Sequence, residues 1–141
     1  MDESRKAALI LGCQQAVLRF YSALDAGDFA AVAAAMAPEG VWHRQGKHLR
    51  GPEEVAAALT ERPAGRITAH LVQNLVIDLF DETTAEARFH SLVYRHDAGP
   101  GAEGPAPLGA PLSISRSRDR LRLEGEEWLV VERGSARVFG G

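Results

Sequence analysis

Three residues of types that move protons stand in otherwise apolar segments of this chain. Asp25 ends the apolar stretch 20–24 and is followed by a break at Gly27, while His70 and His90 each lie in a run typical of a β-strand. A carboxylate that orients an imidazole makes it an effective general base, because it fixes the ring tautomer and stabilises the imidazolium. The sequence therefore indicates a pocket in which a bound molecule loses or gains a proton.

Asp25 is predicted to lie in the last turn of the first helix, on the face that also carries Tyr21 and Leu24. The helix macrodipole disfavours negative charge at that end, so we expect a raised pKa and a carboxylate that accepts protons near neutral pH. Tyr21 would be an acid that assists a leaving group. In the alternative interpretation, Asp25 only caps the turn or faces solvent.

His70 stands in a run whose side chains should alternate between two faces. Alternation puts it with Val72, Asn74 and Val76 on one face. With a carboxylate beside it, a neutral imidazole at this position would be a general base. The plainer alternative is a histidine that is hydrogen-bonded within the sheet and holds a strand in place.

His90 lies in the following strand-like run. It is predicted to share a face with Leu92 and Tyr94, whereas Phe89 points the other way. It could then serve as a second acid or base in the pocket. A single histidine among apolar strand residues could equally be a hydrogen-bonded core group.

Small polar residues in a later run could complete the pocket. If Ser113, Ser115 and Ser117 face the interior, they can hydrogen-bond a substrate carbonyl or hydroxyl, and the arginines between them lie on the outer sheet face. Arg133 could be a pocket cation or a surface residue. The candidate pocket walls, each of which could instead be core packing, are Phe20, Leu24, Phe29, Met36, Trp42, Leu59, Leu92 and Tyr94.

The elements that must position these residues follow from periodicity and turn residues. They predict helices at about 3–26, 28–37 and 51–62, and strands at 41–45, 67–80, 84–96, 112–123 and 128–138. Pro38 and Gly40 are expected to stop the second helix, and 97–111 reads as a long loop. Helices first and strands afterwards predict one α+β domain over 1–141, with three N-terminal helices packed on a strongly curved, mainly antiparallel sheet.

Composition argues against several kinds of partner. The chain has 141 residues, of which 25% are charged, and a net charge of −3, so we expect no attraction to nucleic acid or an anionic membrane. No apolar run is expected to reach the roughly 20 residues of a membrane span. The single cysteine, Cys13, fits a reducing compartment, and the cytoplasm is the expected location. His43 and His48 could meet only in a turn, without the spacing of metal ligands, so neither metal nor cofactor is expected.

Four short motifs occur along the chain: a Leu-Asp-x-Gly-Asp-Phe turn containing Asp25, a Gly-Pro-Glu-Glu helix start, a Thr-x-His-x-x-x-Asn strand containing His70, and a Glu-Gly-x-x-Trp hairpin. In this order the chain resembles the SnoaL-like branch of the nuclear transport factor 2-like superfamily, over nearly its whole length. The resemblance implies a cone-shaped α+β barrel with an apolar pocket, commonly dimeric. It does not imply one activity, because the superfamily includes dehydratases, isomerases, cyclases and non-catalytic subunits.

The resemblance also implies roles for single residues. Dehydratase-type members, of the scytalone and bile-acid kinds, have their catalytic aspartate and histidine at the positions of Asp25 and His70. The scytalone type adds a second histidine at His90 and polar pocket residues at Ser115 and Ser117. It also has a tyrosine on the short strand where this chain reads Trp-His-Arg at 42–44. The role of that tyrosine is then unfilled or passes to His43 or Arg44, so a different substrate is implied.

Two classes of function stay open. The first is a cofactor-independent, dehydratase-like lyase or isomerase acting on a hydrophobic polycyclic, polyketide-like or steroid-like carbonyl compound. His70, oriented by Asp25, would remove a proton next to the carbonyl, and Tyr21 or His90 would supply one. The alternative is a polyketide cyclase-like enzyme, or a non-catalytic small-ligand-binding or assembly subunit of the same fold. In each case we expect a homodimer formed through the outer sheet face.

Overall fold

The computed structural model describes residues 1–140 and contains three helices and six strands within that range. The helices are α1 (Glu3–Ala26), α2 (Phe29–Ala34) and α3 (Gly51–Thr60). The strands are β1 (Met36–Arg44), β2 (Lys47–Arg50), β3 (Arg66–Leu79), β4 (Thr84–Asp97), β5 (Ser113–Glu124) and β6 (Glu127–Gly140). The mixed α+β class is confirmed.

One six-stranded sheet carries the fold, in the order β2-β1-β6-β5-β4-β3. Every neighbouring pair is antiparallel except β1 and β6, which run parallel. The edge strands β2 and β3 are not paired with each other in the described residues, so the sheet is strongly bent but not closed. Residues of all six strands and of α1 line the cavity.

The face of α1 that packs on the sheet is the predicted apolar stripe. Its buried side chains are Leu9, Cys13, Val17, Phe20, Tyr21 and Leu24. Burial raises the pKa of the Cys13 thiol to about 12, so this cysteine behaves as a core residue. By length and apolar composition alone α1 could also cross a membrane, which was not expected from the sequence. In this fold the helix instead covers the sheet.

The region after α1 departs from the prediction. The expected second helix at 28–37 ends at Ala34, and Met36 already pairs with Val130 of β6. Pro38 therefore lies inside β1, at the irregularity between Met36 and Val41, instead of ending a helix. Gly40 is required there, because a Cβ would lie 2.4 Å from the Val130 carbonyl oxygen. Tertiary pairing with β6 outweighs the helix propensity of the alanine run.

A β-bulge divides β3 into two halves. The pairing with β4 shifts between Gln73 and Val76, and Asn74 adopts a left-handed conformation with φ 56°. Asparagine is one of the few residues that adopts this conformation without large strain. The extra residue reverses the alternation of side chains. Before the bulge the even-numbered residues, such as His70, face inward; after it the odd-numbered residues do, among them Leu75 and Ile77. The prediction that Val76 lies on the same face as His70 is therefore wrong.

Candidate active site

Asp25 and His70 meet where the end of α1 packs on β3. The Nδ1 atom of His70 lies 2.6 Å from Oδ1 of Asp25. The backbone N–H of His70 donates to Oδ2 at 2.8 Å, and the hydroxyl of Thr68 donates to Oδ1 at 2.8 Å. Both oxygens of the carboxylate are thus engaged by residues of one strand. The predicted contact between the two side chains is confirmed.

The local sequence explains this geometry. Gly27, with φ 76°, ends α1 in the left-handed conformation, and Asp28 caps α2 by accepting the N–H of Ala31. The turn holds Asp25 in place on the last helical turn. Thr68 and His70 are two residues apart on an extended strand, so both side chains point toward it.

The electrostatics of Asp25 differ from the expectation. Burial alone would raise its pKa, but the hydrogen bonds from the ring and backbone of His70 and from Thr68, together with the charge of His70, lower the pKa below its ordinary value. Hydrogen bonding outweighs both burial and the helix end. Asp25 is therefore ionised near neutral pH and acts as the partner of His70, not as the proton acceptor predicted from the macrodipole.

Tyr21 lies directly under the imidazole. Its ring stacks on that of His70 with centroids 5.1 Å apart and an interplanar angle of 25°, and its edge meets Phe89. Burial raises the pKa of Tyr21, which the nearby Arg133 and a hydrogen bond with Ser117 oppose only in part. The phenol therefore stays protonated near neutral pH and can donate a hydrogen bond.

A buried ion pair forms the floor beneath Tyr21. Arg133 donates through Nε to Oδ1 of Asp119 at 2.7 Å and through Nη2 to Oδ2, and both residues are buried. The guanidinium carbon lies 3.6 Å from the centroid of Phe20 and 4.8 Å from that of Tyr21. Burial alone would lower the pKa of Arg133, but Asp119 raises it. Arg133, left open between pocket and surface from the sequence, is a buried cation.

The cavity in front of His70 has a volume of about 430 Å³. This size is within the range of small-molecule sites. Six of the residues predicted for the site line the cavity: Tyr21, Leu24, Trp42, His70, Ser115 and Ser117. Ser113 lines it as well. The lining is more polar than the apolar pocket that the resemblance implies, since it includes several arginines. We call the end of the cavity formed by Arg44, Arg62, Arg66 and Arg95 its mouth.

Six of the eight predicted wall residues do not line this cavity, and four of these six belong to the helices and β1. Phe20, Met36 and Leu59 are fully buried in the core, where Phe20 meets the edge of Trp42. Phe29 is half-buried and packs under the guanidinium of Arg62, 5.9 Å from the ring centroid. All four pack in the core or against it, which is the alternative that the sequence left open for each of them.

The placement predicted for β4 is wrong. His70 pairs with Val93, and directly paired residues share a face, so the odd-numbered residues of β4 face inward. Phe89 and Ser91 are accordingly buried. Three predicted site residues therefore lie on the outer face, away from the cavity: His90, Leu92 and Tyr94. His90 is instead close to Asn74, with 3.4 Å between Nδ1 and Nδ2.

Several residues of the site were not singled out from the sequence. Thr68 was visible in the motif, and its spacing of two from His70 places it on the same face. Asp119 continues the alternation of the inward serines. Arg62 carries no signal in the sequence, whereas Arg44 was one of the two residues that could replace the tyrosine of the scytalone type.

A histidine pair marks the rim of the cavity on the β1–β2 hairpin. His43 and His48 are paired across a two-residue turn, in which Gln45 and Gly46 have positive φ. Their Nδ1 atoms are 2.7 Å apart, and Nε2 of His43 lies 3.1 Å from Glu132. The two histidines thus meet, as the sequence allowed. Among residues 1–140 no cluster of three or more side chains is arranged as a metal site.

Fold and site together define a cone-shaped α+β protein of the nuclear transport factor 2-like class, in which a histidine paired with an aspartate lines the cavity. The chain belongs to the SnoaL-like family, whose domain model matches residues 5–134. No curated protein matches the chain significantly.

Solved structures share this fold. A nuclear transport factor 2-like protein from Novosphingobium aromaticivorans is 22% identical over 92% of this chain and 82% of its own, with a TM-score of 0.71. A candidate scytalone dehydratase from the same organism is 16% identical over 91% and 83%, with a TM-score of 0.76. A hexachlorocyclohexane dehydrochlorinase of type 2 is 10% identical over 98% and 90%, with a TM-score of 0.78. At these identities the likeness shows the fold alone.

Proposed function

We propose that this chain is a cofactor-independent lyase or isomerase of the dehydratase type, acting on a hydrophobic carbonyl compound by acid–base chemistry. The observation that carries the proposal is the 2.6 Å contact of Asp25 with His70, whose ring also lines the cavity. The fold likeness to a candidate scytalone dehydratase and to a dehydrochlorinase agrees with elimination chemistry. A polycyclic, polyketide-like or steroid-like substrate and a cytoplasmic location are parts of the proposal.

In this mechanism His70 is the base. Ionised Asp25 accepts a hydrogen bond from the N–H of Nδ1, so the lone pair of Nε2 is left to accept a proton from the carbon next to the substrate carbonyl. The tautomer follows from the hydrogen bond. As Nε2 takes the proton, the carboxylate stabilises the imidazolium and a double bond forms while the leaving group departs from the neighbouring carbon; a hydroxyl group takes a proton from the acid, Tyr21, and departs as water.

Tyr21 is the proposed acid and carbonyl partner. A neutral phenol beside the imidazole can donate to the carbonyl oxygen where negative charge develops during proton removal. Ser115 and Ser117 line the same wall and can hydrogen-bond a substrate hydroxyl. Arg133 does not line the cavity; it acts on Tyr21 from below, where its charge favours a phenol oxygen that becomes more negative.

An open cavity with this acid–histidine pair favours the enzyme over a non-catalytic binding or assembly subunit, for which we would expect a blocked cavity. A cyclase-like reaction uses the same proton abstraction and differs only in the bond that forms afterwards. We therefore keep cyclisation as an outcome of the same test.

The test is turnover of a panel of β-hydroxy ketones and polycyclic enones, followed by the change in their ultraviolet absorbance. His70→Ala should remove nearly all turnover while circular dichroism and thermal unfolding stay close to wild type. The matched control is His90→Ala, which removes an imidazole from the outer face. If the wild-type protein turns over no member of the panel faster than His70→Ala does, the binding-subunit alternative takes the lead.

A further inference from the structure

The mouth of the cavity is surrounded by positive charge. None of the described residues that line the cavity is an aspartate or a glutamate. Its cationic lining residues, apart from histidines, are Arg44, Lys47, Arg62, Arg66, Arg95 and Arg137. Because the whole chain has a net charge of −3, this concentration of cations is local to the site.

Two of the carboxylates near the mouth have partners; a third, Glu61, lines an adjoining cavity with Arg44 and Arg62 but forms no ion pair with either in the described residues. Asp97 is bound by Arg66 in a two-bond contact, at 2.8 Å through Nε and 3.0 Å through Nη2. Asp25 is held by His70 and Thr68. Asp97 therefore pairs with Arg66, whereas neither Arg44 nor Arg62 forms an ion pair in the described residues.

Arg44 and Arg62 are the clearest part of this concentration of cations. Arg44 is half-buried, with its guanidinium carbon 5.3 Å from the centroid of Trp42, and no carboxylate in the described residues pairs with it. Arg62 donates to the hydroxyl of Thr68 at 2.6 Å and has no carboxylate of its own there either. Burial lowers the pKa of both guanidinium groups, and Arg66 lowers it further; at Arg62 the charges of Asp25 and Asp97 oppose this lowering only in part. An anion placed between them would relieve both effects.

Some arginines elsewhere in the chain do have carboxylate partners. On the outer face of the sheet, Arg88 lies 2.9 Å from Asp78 and Arg118 lies 3.3 Å from Glu86. These exposed side chains have a carboxylate within reach even though water could solvate them. The half-buried arginines at the mouth need a counter-ion more, and two of them lack one.

We propose that the cavity takes a carbonyl compound that also carries an anionic oxygen group, a carboxylate or a phosphate, held at the mouth by Arg44 and Arg62. The planar fork of arginine matches both anions with paired N–H donors. The orientation of the bound molecule in this inference rests on the proposed function. The carbonyl end would face His70, which connects to the mouth through Asp25, Thr68 and Arg62. The hydrophobic body expected for the substrate would lie between the two ends, against Leu24 and Trp42.

Two pairs of probes test the inference by titration calorimetry. The first is 6-hydroxy-2-naphthoate with its uncharged methyl ester, and the second is 2-naphthyl phosphate with 2-naphthol. We expect the charged member of at least one pair to bind about tenfold or more tightly than the neutral one, and the pair that shows this identifies carboxylate or phosphate. The preference should shrink between about 50 and 500 mM salt, because salt screens the interaction.

Variants assign the preference to the mouth. Arg44→Gln should weaken the charged probe about tenfold to hundredfold and leave the neutral probe unchanged. Arg44→Lys, which keeps the charge, should recover part of the loss. Arg62→Gln, at the second proposed anion-binding residue, should have the same effect and replaces Arg44→Gln if that variant folds poorly. Arg118→Gln on the outer face is the matched control for loss of one positive charge, and it should change neither affinity.

Equal affinity within both pairs, no binding of either charged probe at millimolar concentration, or an equal effect of Arg44→Gln and Arg118→Gln would overturn the inference. The proposed reaction fails separately. His70→Ala should keep the preference for the charged probes but lose turnover of the ketone panel. A preserved charge preference without any turnover dependent on His70 would leave an anion-binding site and remove the lyase. Turnover that depends on His70 without a preference for the charged probes would support the lyase and remove the anion-binding site.

Discussion

Replacing Asp25 by asparagine tests the central contact more sharply than removing His70 does. The carboxylate accepts three hydrogen bonds: two on Oδ1, from the His70 ring and Thr68, and one on Oδ2, from the backbone N–H of His70. An amide has one oxygen to offer. If that oxygen meets the backbone N–H, the amide NH₂ faces Nδ1 of His70 and must donate to it, so the ring proton moves to Nε2 and the base toward the cavity is lost.

The opposite orientation of the amide is costly. It would keep Nδ1 protonated but place the NH₂ against the backbone N–H, at a position where the oxygen now lies 2.8 Å away. A partly buried donor left without an acceptor costs about 1 to 3 kcal/mol, so the wrong tautomer should dominate by about tenfold or more. Loss of the negative charge that stabilises the imidazolium adds to this. The corresponding change in a serine-protease triad lowers kcat by about 10⁴, and we expect about 10³ to 10⁴ here, or roughly 4 to 5 kcal/mol of transition-state stabilisation.

The tautomer can be measured without knowing the substrate. Long-range ¹H–¹⁵N correlation spectra of the histidine rings, with His70 assigned by its loss in His70→Ala, should show a proton on Nδ1 in the wild type and on Nε2 in Asp25→Asn. Turnover of the ketone panel should fall in parallel. Asp28→Asn is the matched control, because it makes the same substitution at a helix cap where asparagine serves as well as aspartate. An unchanged tautomer in Asp25→Asn, or turnover that stays at the wild-type level, would refute the reasoning.

Four further outcomes are expected. Asp119→Ala should cost about 3 to 5 kcal/mol in urea unfolding because it leaves the buried Arg133 charge unpaired, whereas Asp119→Leu combined with Arg133→Met should recover most of the loss; equal stability of the single and double variants would contradict this. The pKa of Asp25 is lower in the folded chain than its ordinary value, so its contribution to stability is complete above the ordinary value and is lost as pH falls through the folded one; unfolding titrations should show Asp25→Asn losing less stability on acidification than the wild type. Because the proposed chemistry needs no metal, protein treated with a chelator should keep full activity, and a rate that falls would mean that the chemistry is wrong. Light scattering should give a dimer at micromolar concentration, and Phe139→Asp on the outer face should give a monomer; a monomeric wild type would refute that expectation.

Much of the fold and the centre of the site could be predicted from the sequence because they depend on local signals. The stripe of α1 and the Gly27 break fix the position of Asp25 at a helix end. The spacing of two between Thr68 and His70 puts both on one strand face. The raised pKa expected for Asp25 was wrong because the macrodipole is weaker than three hydrogen bonds from a strand 40 residues further along.

The faces of the sheet were harder to predict. In β4 both faces carry large apolar or aromatic side chains, so alternation alone does not show which one is inside; the pairing of His70 with Val93 decides it. Arg133 posed the same problem. Its burial depends on Asp119, which is its registered neighbour on β5, and neither residue signals the other in the sequence.

The dimer expectation gains one detail from these registers. Leu71, Leu92, Ile114 and Phe139 are consecutive partners across β3 to β6, so they form one apolar row on the outer face. Val130 of β6 is buried in the core and adds nothing to this row. The dimer stays a prediction, and the row gives it a defined place to test.

The bulge at Asn74 separates the two tasks of β3. Residues on the N-terminal side present Thr68 and His70 to the cavity, and those on the other side present Leu75 and Ile77 to the core. A substitution on the cavity side therefore leaves the core side in register. Related chains could exchange cavity residues along this strand, and with them their substrates, without repacking the interior. Asn74→Val should remove that independence, because a β-branched residue resists positive φ and would draw the strand toward regular alternation.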